Sequence, residues 1–91
     1  MQAQYRRASS VVWRKSHDAV LVRPVVQAEI VALSGTAEAM WELLVDRMTI
    51  DELSSKLAQT YAAPAAQIRD DIAPMLDDLV ARGVIDRAVA A

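Results

Sequence analysis

Cysteine is missing from this chain altogether. Its absence removes disulfides, thiolate nucleophiles and thiolate-bound zinc together, and it fits a reducing cytoplasm. Histidine occurs once, as His17 between Ser16 and Asp18, in a short polar break that reads as a turn. Neighbours in sequence do not make a catalytic triad, because nucleophile, base and orienting group must converge in space. With one imidazole and no thiol, only carboxylates remain as metal ligands, and they show no calcium-loop spacing. Gly35 and Gly83 are the only glycines, so no phosphate-cradling loop is present. No apolar run is long enough to cross a bilayer. The opening MQAQYRRASS has no apolar block of signal-peptide type behind its arginines. The expectation is a cytoplasmic chain off the membrane, with no catalytic residue, no metal and no cofactor.

What is present is apolar sequence in two different periods. The 91 residues and the net charge of −2 point to one folded domain with a modest core. Residues 1–9 are polar and are expected to be flexible. Residues 10–15, SVVWRK, are β-branched and aromatic, which favours a strand with Val11 and Trp13 on one face and Val12 and Arg14 on the other. After the break at Ser16, residues 19–23 read as a second strand that Pro24 ends, since proline cannot donate to a sheet ladder. Residues 25–32, VVQAEIVA, read as a third, with Ala28 and Ile30 inward and Glu29 outward. Strands this short and locally joined predict an antiparallel meander.

After Leu33 the period changes to that of a helix. Ser34-Gly35-Thr36 is a turn with a possible cap, and Ala37, Met40, Trp41, Leu44 and Val45 share one helical face. Thr49 with Glu52 matches a capping box for a second helix carrying Ile50, Leu53, Leu57 and Tyr61 inward. In a third helix, Ile68, Ile72, Met75, Leu76, Leu79 and Val80 recur at spacings of three and four. Pro64 suits its first position and Gly83 the position past its end. Pro74 breaks the local rule by removing a helical hydrogen bond and crowding the Asp70 carbonyl, at a cost of ~3 kcal/mol in a helix interior. A kink near residues 70–74 in one continuous helix is expected, since the stripe continues in phase past it; the alternative is a helix that starts late, with Pro74 in its first turn. Residues 10–86 are expected to form the domain and residues 87–91 a tail.

Three strands followed by three helices is an order that a known family shares. Leu33-Ser34-Gly35-Thr36-Ala37 leading to Trp41-Glu42-Leu43-Leu44 resembles the first-helix signature of the PqqD-like family. Thr49-Ile50-Asp51-Glu52-Leu53 resembles the start of its second helix, and Leu57, Tyr61, Ile68, Asp71, Ile72, Leu76, Leu79, Gly83, Val84 and Ile85 resemble its closing pattern. The likeness covers residues 11–85; Pro74 and Arg23-Pro24 depart from it. The resemblance implies an α+β, winged-helix-like fold, with an N-terminal three-stranded antiparallel sheet followed by three α-helices. It implies a non-catalytic peptide chaperone, or RiPP recognition element, of the stand-alone kind. Such a domain binds the leader of a ribosomally made precursor peptide and presents it to a peptidase or other modifying enzyme. Lasso-peptide and quinone-cofactor routes both use such domains, and the residues do not separate them.

A peptide site has a physical basis apart from the family. An open strand edge offers unpaired backbone groups, to which an extended peptide adds as a further strand. The expected site is Gln27, Ala28, Glu29, Ile30 and Val31 on the third strand, walled by Ile68, Asp71, Ile72, Met75, Asp78 and Leu79 on the third helix. Apolar anchors would set specificity, with Asp71 and Asp78 attracting a basic leader residue. The same apolar stripe is also what a plain core helix needs. Two other functions compete. A winged helix can read DNA, but Asp70, Asp71, Asp77 and Asp78 oppose phosphate, so no nucleic acid is expected. An open edge can also pair with its own copy, so monomer or weak homodimer is expected.

Overall fold

The computed structural model describes residues 2–24 and 29–89. In chain order these form β1 (Ala3–Arg7), β2 (Val11–Lys15), β3 (Val20–Pro24), β4 (Val31–Leu33), α1 (Thr36–Leu43), β5 (Met48–Thr49), α2 (Ile50–Tyr61), α3 (Ala65–Ala81) and β6 (Ile85–Val89). The fold is α+β with antiparallel strands and three helices, as expected. The single N-terminal sheet is not what forms. The strands divide into two three-stranded sheets, ordered β5-β1-β6 and β2-β3-β4.

The second of these is the expected meander, shortened. The Ser16 amide and hydroxyl both donate to the Ala19 carbonyl, at 2.8 and 3.1 Å, and close the β2–β3 hairpin. Val20, Val22 and Pro24 are buried in alternation with half-buried Leu21 and exposed Arg23. That alternation is the period of a sheet with one covered face. The third strand was expected over 25–32; residues 25–28 lie outside the described residues, and among the described ones β4 spans Val31–Leu33. Glu29 and Ile30 precede it outside the ladder, and Ile30 is exposed where burial was expected. Gln27 and Ala28 lie outside the described residues.

The first sheet joins parts of the chain that composition marked as loose. β1 falls within residues 1–9, expected to be flexible, and β6 runs through the expected tail as far as Val89. They pair residue for residue, from Ala3 opposite Val89 to Arg7 opposite Ile85. The folded unit therefore extends beyond 10–86 on both sides. The pairing holds because one side chain at each strand is anchored: Tyr5 and Ile85 are buried in the core. The Arg7 amide donates to the Leu44 carbonyl and the Ala8 amide to that of Val84, which ties β1 to the helical part.

The start of α2 and the end of α3 follow their signals, whereas α1 begins without a side-chain cap and Pro64 stands one position before α3 instead of at its first position. Gly35, at φ 59°, makes the turn into α1 in a conformation that costs a residue with a Cβ more. α1 ends at Leu43, so Val45 is past the helix and exposed, not on its buried face. The capping box forms: Glu52 N–H donates to Thr49 Oγ1 at 3.1 Å, and Thr49 N–H donates to Glu52 Oε1 at 2.9 Å. Tyr61, expected inward, is half exposed at the last position of α2. Pro64 caps α3 from outside, its carbonyl accepting from Ile68 N–H at 3.1 Å. Gly83 has positive φ, and Val84 N–H bonds to the Leu79 carbonyl while Gly83 N–H bonds to that of Val80. These two bonds are the Schellman ending that satisfies the helix's last carbonyls.

α3 runs without interruption through Pro74. Ile68, Ile72, Leu76 and Leu79 stay buried in phase on both sides of it, and Pro74 itself faces solvent. Burial of that stripe, worth ~1.5–3 kcal/mol per large apolar side chain, outweighs the lost backbone bond. The stripe closes one core with Val20, Val22, Leu33, Met40, Trp41, Leu44, Leu53, Leu57 and Val84. Pro74→Ala is expected to raise the chemical-denaturation midpoint, by a free energy of up to about 3 kcal/mol. Thr49→Ala is expected to lower stability by about 1 kcal/mol in the same measurement.

Candidate functional site

β4 pairs with β3 along one edge only. Among the described residues no backbone group bonds to its other edge. Beside β4 and α3 lies a groove of about 270 Å³. Val31, Ala32 and Leu33 line it from the strand, Ala37 from α1, and Met75, Asp78, Leu79 and Arg82 from α3. Leu33 and Leu79 are buried at its base, and Val31, Ala37 and Met75 are half-buried. Asp78 and Arg82 are exposed and joined by a 2.9 Å bond from Arg82 Nε to Asp78 Oδ2. The site is thus an apolar trough with one ion pair beside it, next to an open strand edge.

Four of the expected site residues meet there: Val31, Met75, Asp78 and Leu79. Ile68 and Ile72 do not. Ile72 is fully buried and Ile68 nearly so, because their turns of α3 are the ones that close the core. Asp71 is exposed and does not line the groove. Glu29 and Ile30 are exposed just before β4 and line it neither, and Gln27 and Ala28 fall outside the described residues. Asp78 is not a bare carboxylate, since Arg82 already holds it. An exposed pair of this kind contributes about 0–1 kcal/mol, so it orients charge more than it binds.

Ala32, Leu33, Ala37 and Arg82 were not foreseen as groove residues. The signal for Arg82 was its spacing of four from Asp78, which sets the two side chains side by side. Ala37 gave none, because an alanine on a helical face reads only as core. Ala37 lines the groove together with Met75, whose flexible thioether suits an adaptable apolar contact.

A second cluster holds the two sheets and α1 together. Arg7 lies over both tryptophan rings, 4.9 Å from the centre of Trp13 and 4.6 Å from that of Trp41. Its Nε–H donates to the Trp41 carbonyl at 2.8 Å. The two rings meet edge to face at 5.5 Å. Burial pulls the Arg7 pKa down, and the charge of Glu42 pushes it up. Lys15 reaches Glu42 at 3.0 Å and Glu38 at 3.8 Å, and this contact holds the Lys15 pKa above its ordinary value. Trp13, half exposed, thus belongs to this structural cluster and not to the groove.

The chain matches the family model described as coenzyme PQQ synthesis protein D (PqqD) over residues 18–85. No curated protein matches it. Among solved structures it is similar to the PqqD truncation of Methylobacterium extorquens PqqCD, determined by solution NMR and described as a functional and stand-alone RiPP recognition element. The identity is 28%, the TM-score 0.75, and the alignment covers 92% of this chain and 89% of that one. The split between core and groove is testable by stability alone. Ile72→Ala is expected to cost about 2–5 kcal/mol in denaturant unfolding, whereas Asp71→Asn should stay within about 0.5 kcal/mol of the parent.

Proposed function

Because this chain belongs to the PqqD family, we propose that it is a non-catalytic recognition element that captures the leader of a ribosomally made precursor peptide. The observation that carries this reading is the open edge of β4 beside the apolar groove of α3. The leader adds as a fourth strand next to β4, and backbone bonds supply affinity whatever its side chains are. Every second leader side chain then turns toward the groove. An apolar anchor settles between Val31, Ala37, Met75 and Leu79, and the pair of Asp78 and Arg82 reads the charge next to it. Specificity resides in the anchor, since buried apolar contacts dominate such interfaces. The captured peptide is then presented to a peptidase or other modifying enzyme, in lasso-peptide or related biosynthesis, in the cytoplasm. A winged-helix-like description of the fold rests on the three helices with an antiparallel hairpin beside them.

The charge on α3 disfavours DNA as the partner. Its one early cation, Arg69, already bonds to Asp51 on α2, and Asp77 bonds to Arg87 at 2.7 Å. The charges left without an ion pair on that helix, among the described residues, are the carboxylates of Asp70 and Asp71, which phosphate repels.

Titration of a fluorescent leader peptide from the precursor encoded beside this chain tests the proposal. Met75→Asp is expected to weaken binding by about 2 kcal/mol or more while the far-ultraviolet circular dichroism stays that of the parent. A leader methylated on alternate backbone nitrogens should bind worse in one of its two phases, because only one set of amides faces β4. Undiminished binding by both the variant and the two methylated peptides would remove the groove from consideration.

A further inference from the structure

We propose that the outer face of the β2-β3-β4 sheet is a second docking surface, taken by a modifying enzyme through an apolar side chain ringed with carboxylates. The proposal rests on leader capture at β4 and extends it to the next partner. The register sets Val12 opposite Arg23, Arg14 opposite Leu21, and Leu21 opposite Ala32. These side chains share one face, since the alternate positions Val20, Val22, Pro24 and Leu33 are buried on the other. A face turned to solvent is ordinarily polar. Here Val12 is 74% exposed and Ile30 63%. With Arg14, Leu21, Arg23 and Trp13 they line a shallow hollow of about 220 Å³.

Charge selects the occupant. Neither Arg14 nor Arg23 has a carboxylate within ion-pair distance among the described residues; the same holds of Arg6, Arg7, Arg47 and Lys56, but of these six only Arg14 and Arg23 line the hollow. Two unpartnered guanidiniums beside an apolar hollow fit a protein surface that brings carboxylates around an apolar knob. A second copy of this face is disfavoured, because it would set arginine against arginine.

Position ties the face to leader capture. A peptide added beside β4 turns alternate side chains outward, where they continue the row that Ala32 belongs to. An enzyme seated on the hollow therefore touches the captured leader as well as the domain. Loaded domain is thereby distinguished from empty domain.

The test uses the whole chain, its leader peptide and each purified modifying enzyme encoded in the same gene cluster. The enzyme's Kd is measured by interferometry with and without saturating leader. The parent should bind one of these enzymes more tightly when loaded, and added salt should weaken that binding. Arg14→Glu with Arg23→Glu should weaken enzyme binding about tenfold or more and leave leader affinity unchanged. Val12→Thr keeps a β-branched residue on the strand and should weaken it in the same direction, which covers a failure of the charge-reversed variant to fold. Enzyme affinity unaltered in folded variants that still bind leader overturns this face and leaves leader capture standing. A parent that binds leader but none of the enzymes overturns it too. Binding of the parent to phosphatidylserine vesicles, lost in the same variants, would assign the face to a membrane instead. Failure of the parent to bind leader at all removes both proposals.

Discussion

Four side chains on one helix set the geometry on which everything else depends. Ile68, Ile72, Leu76 and Leu79 fix the rotation of α3 against the core. A helix so held has no freedom about its axis, because turning it would bring the stripe into water. Its neighbouring positions are therefore fixed as well, and Met75 and Asp78 stand beside β4 by consequence. The groove is the shoulder of a core helix, not a separate construction. That is why the helix tolerates a proline on its outer side: the stripe, not the backbone ladder, determines where α3 lies.

The open edge of β4 is the complementary constraint. Unpaired strand edges invite pairing with any extended chain. Two features limit this one. β4 is only three residues long, and the Asp78–Arg82 pair puts charge beside it. Short length with nearby charge is a common way in which sheets discourage their own copies while leaving room for a partner. The other sheet is arranged differently. β1 is central there, with β5 and β6 on its two sides, and Tyr5 of β1 is anchored in the core.

Most of what was legible in the sequence was local. The hairpin of β2 and β3, the capping box at Thr49 and the stripe of α3 each lie within a few residues, and each formed. The pairing of β1 with β6 was not legible. AQYRR contains one large apolar residue, and its partner strand is some eighty positions away, so neither strand carries a pattern that a short window detects. The same limit affected the site. Met75, Asp78 and Leu79 stand at the groove as expected because helical spacing fixes their direction. Ile72 was misplaced because one stripe serves both core and groove, and only packing decides where the boundary runs. Ile30 was assigned inward on an alternation that holds only inside a ladder, and the ladder begins one residue later.

The register of β1 and β6 has a geometric consequence. Ala3 lies across from Val89, about one strand spacing away, so the polypeptide enters and leaves through the same small doorway. No residue of either strand lines the groove. A unit built this way can be spliced into a loop of a larger protein, or strung onto either side of one, without stretching its own frame. Such a transfer would carry the groove along as a cassette, its walls undisturbed.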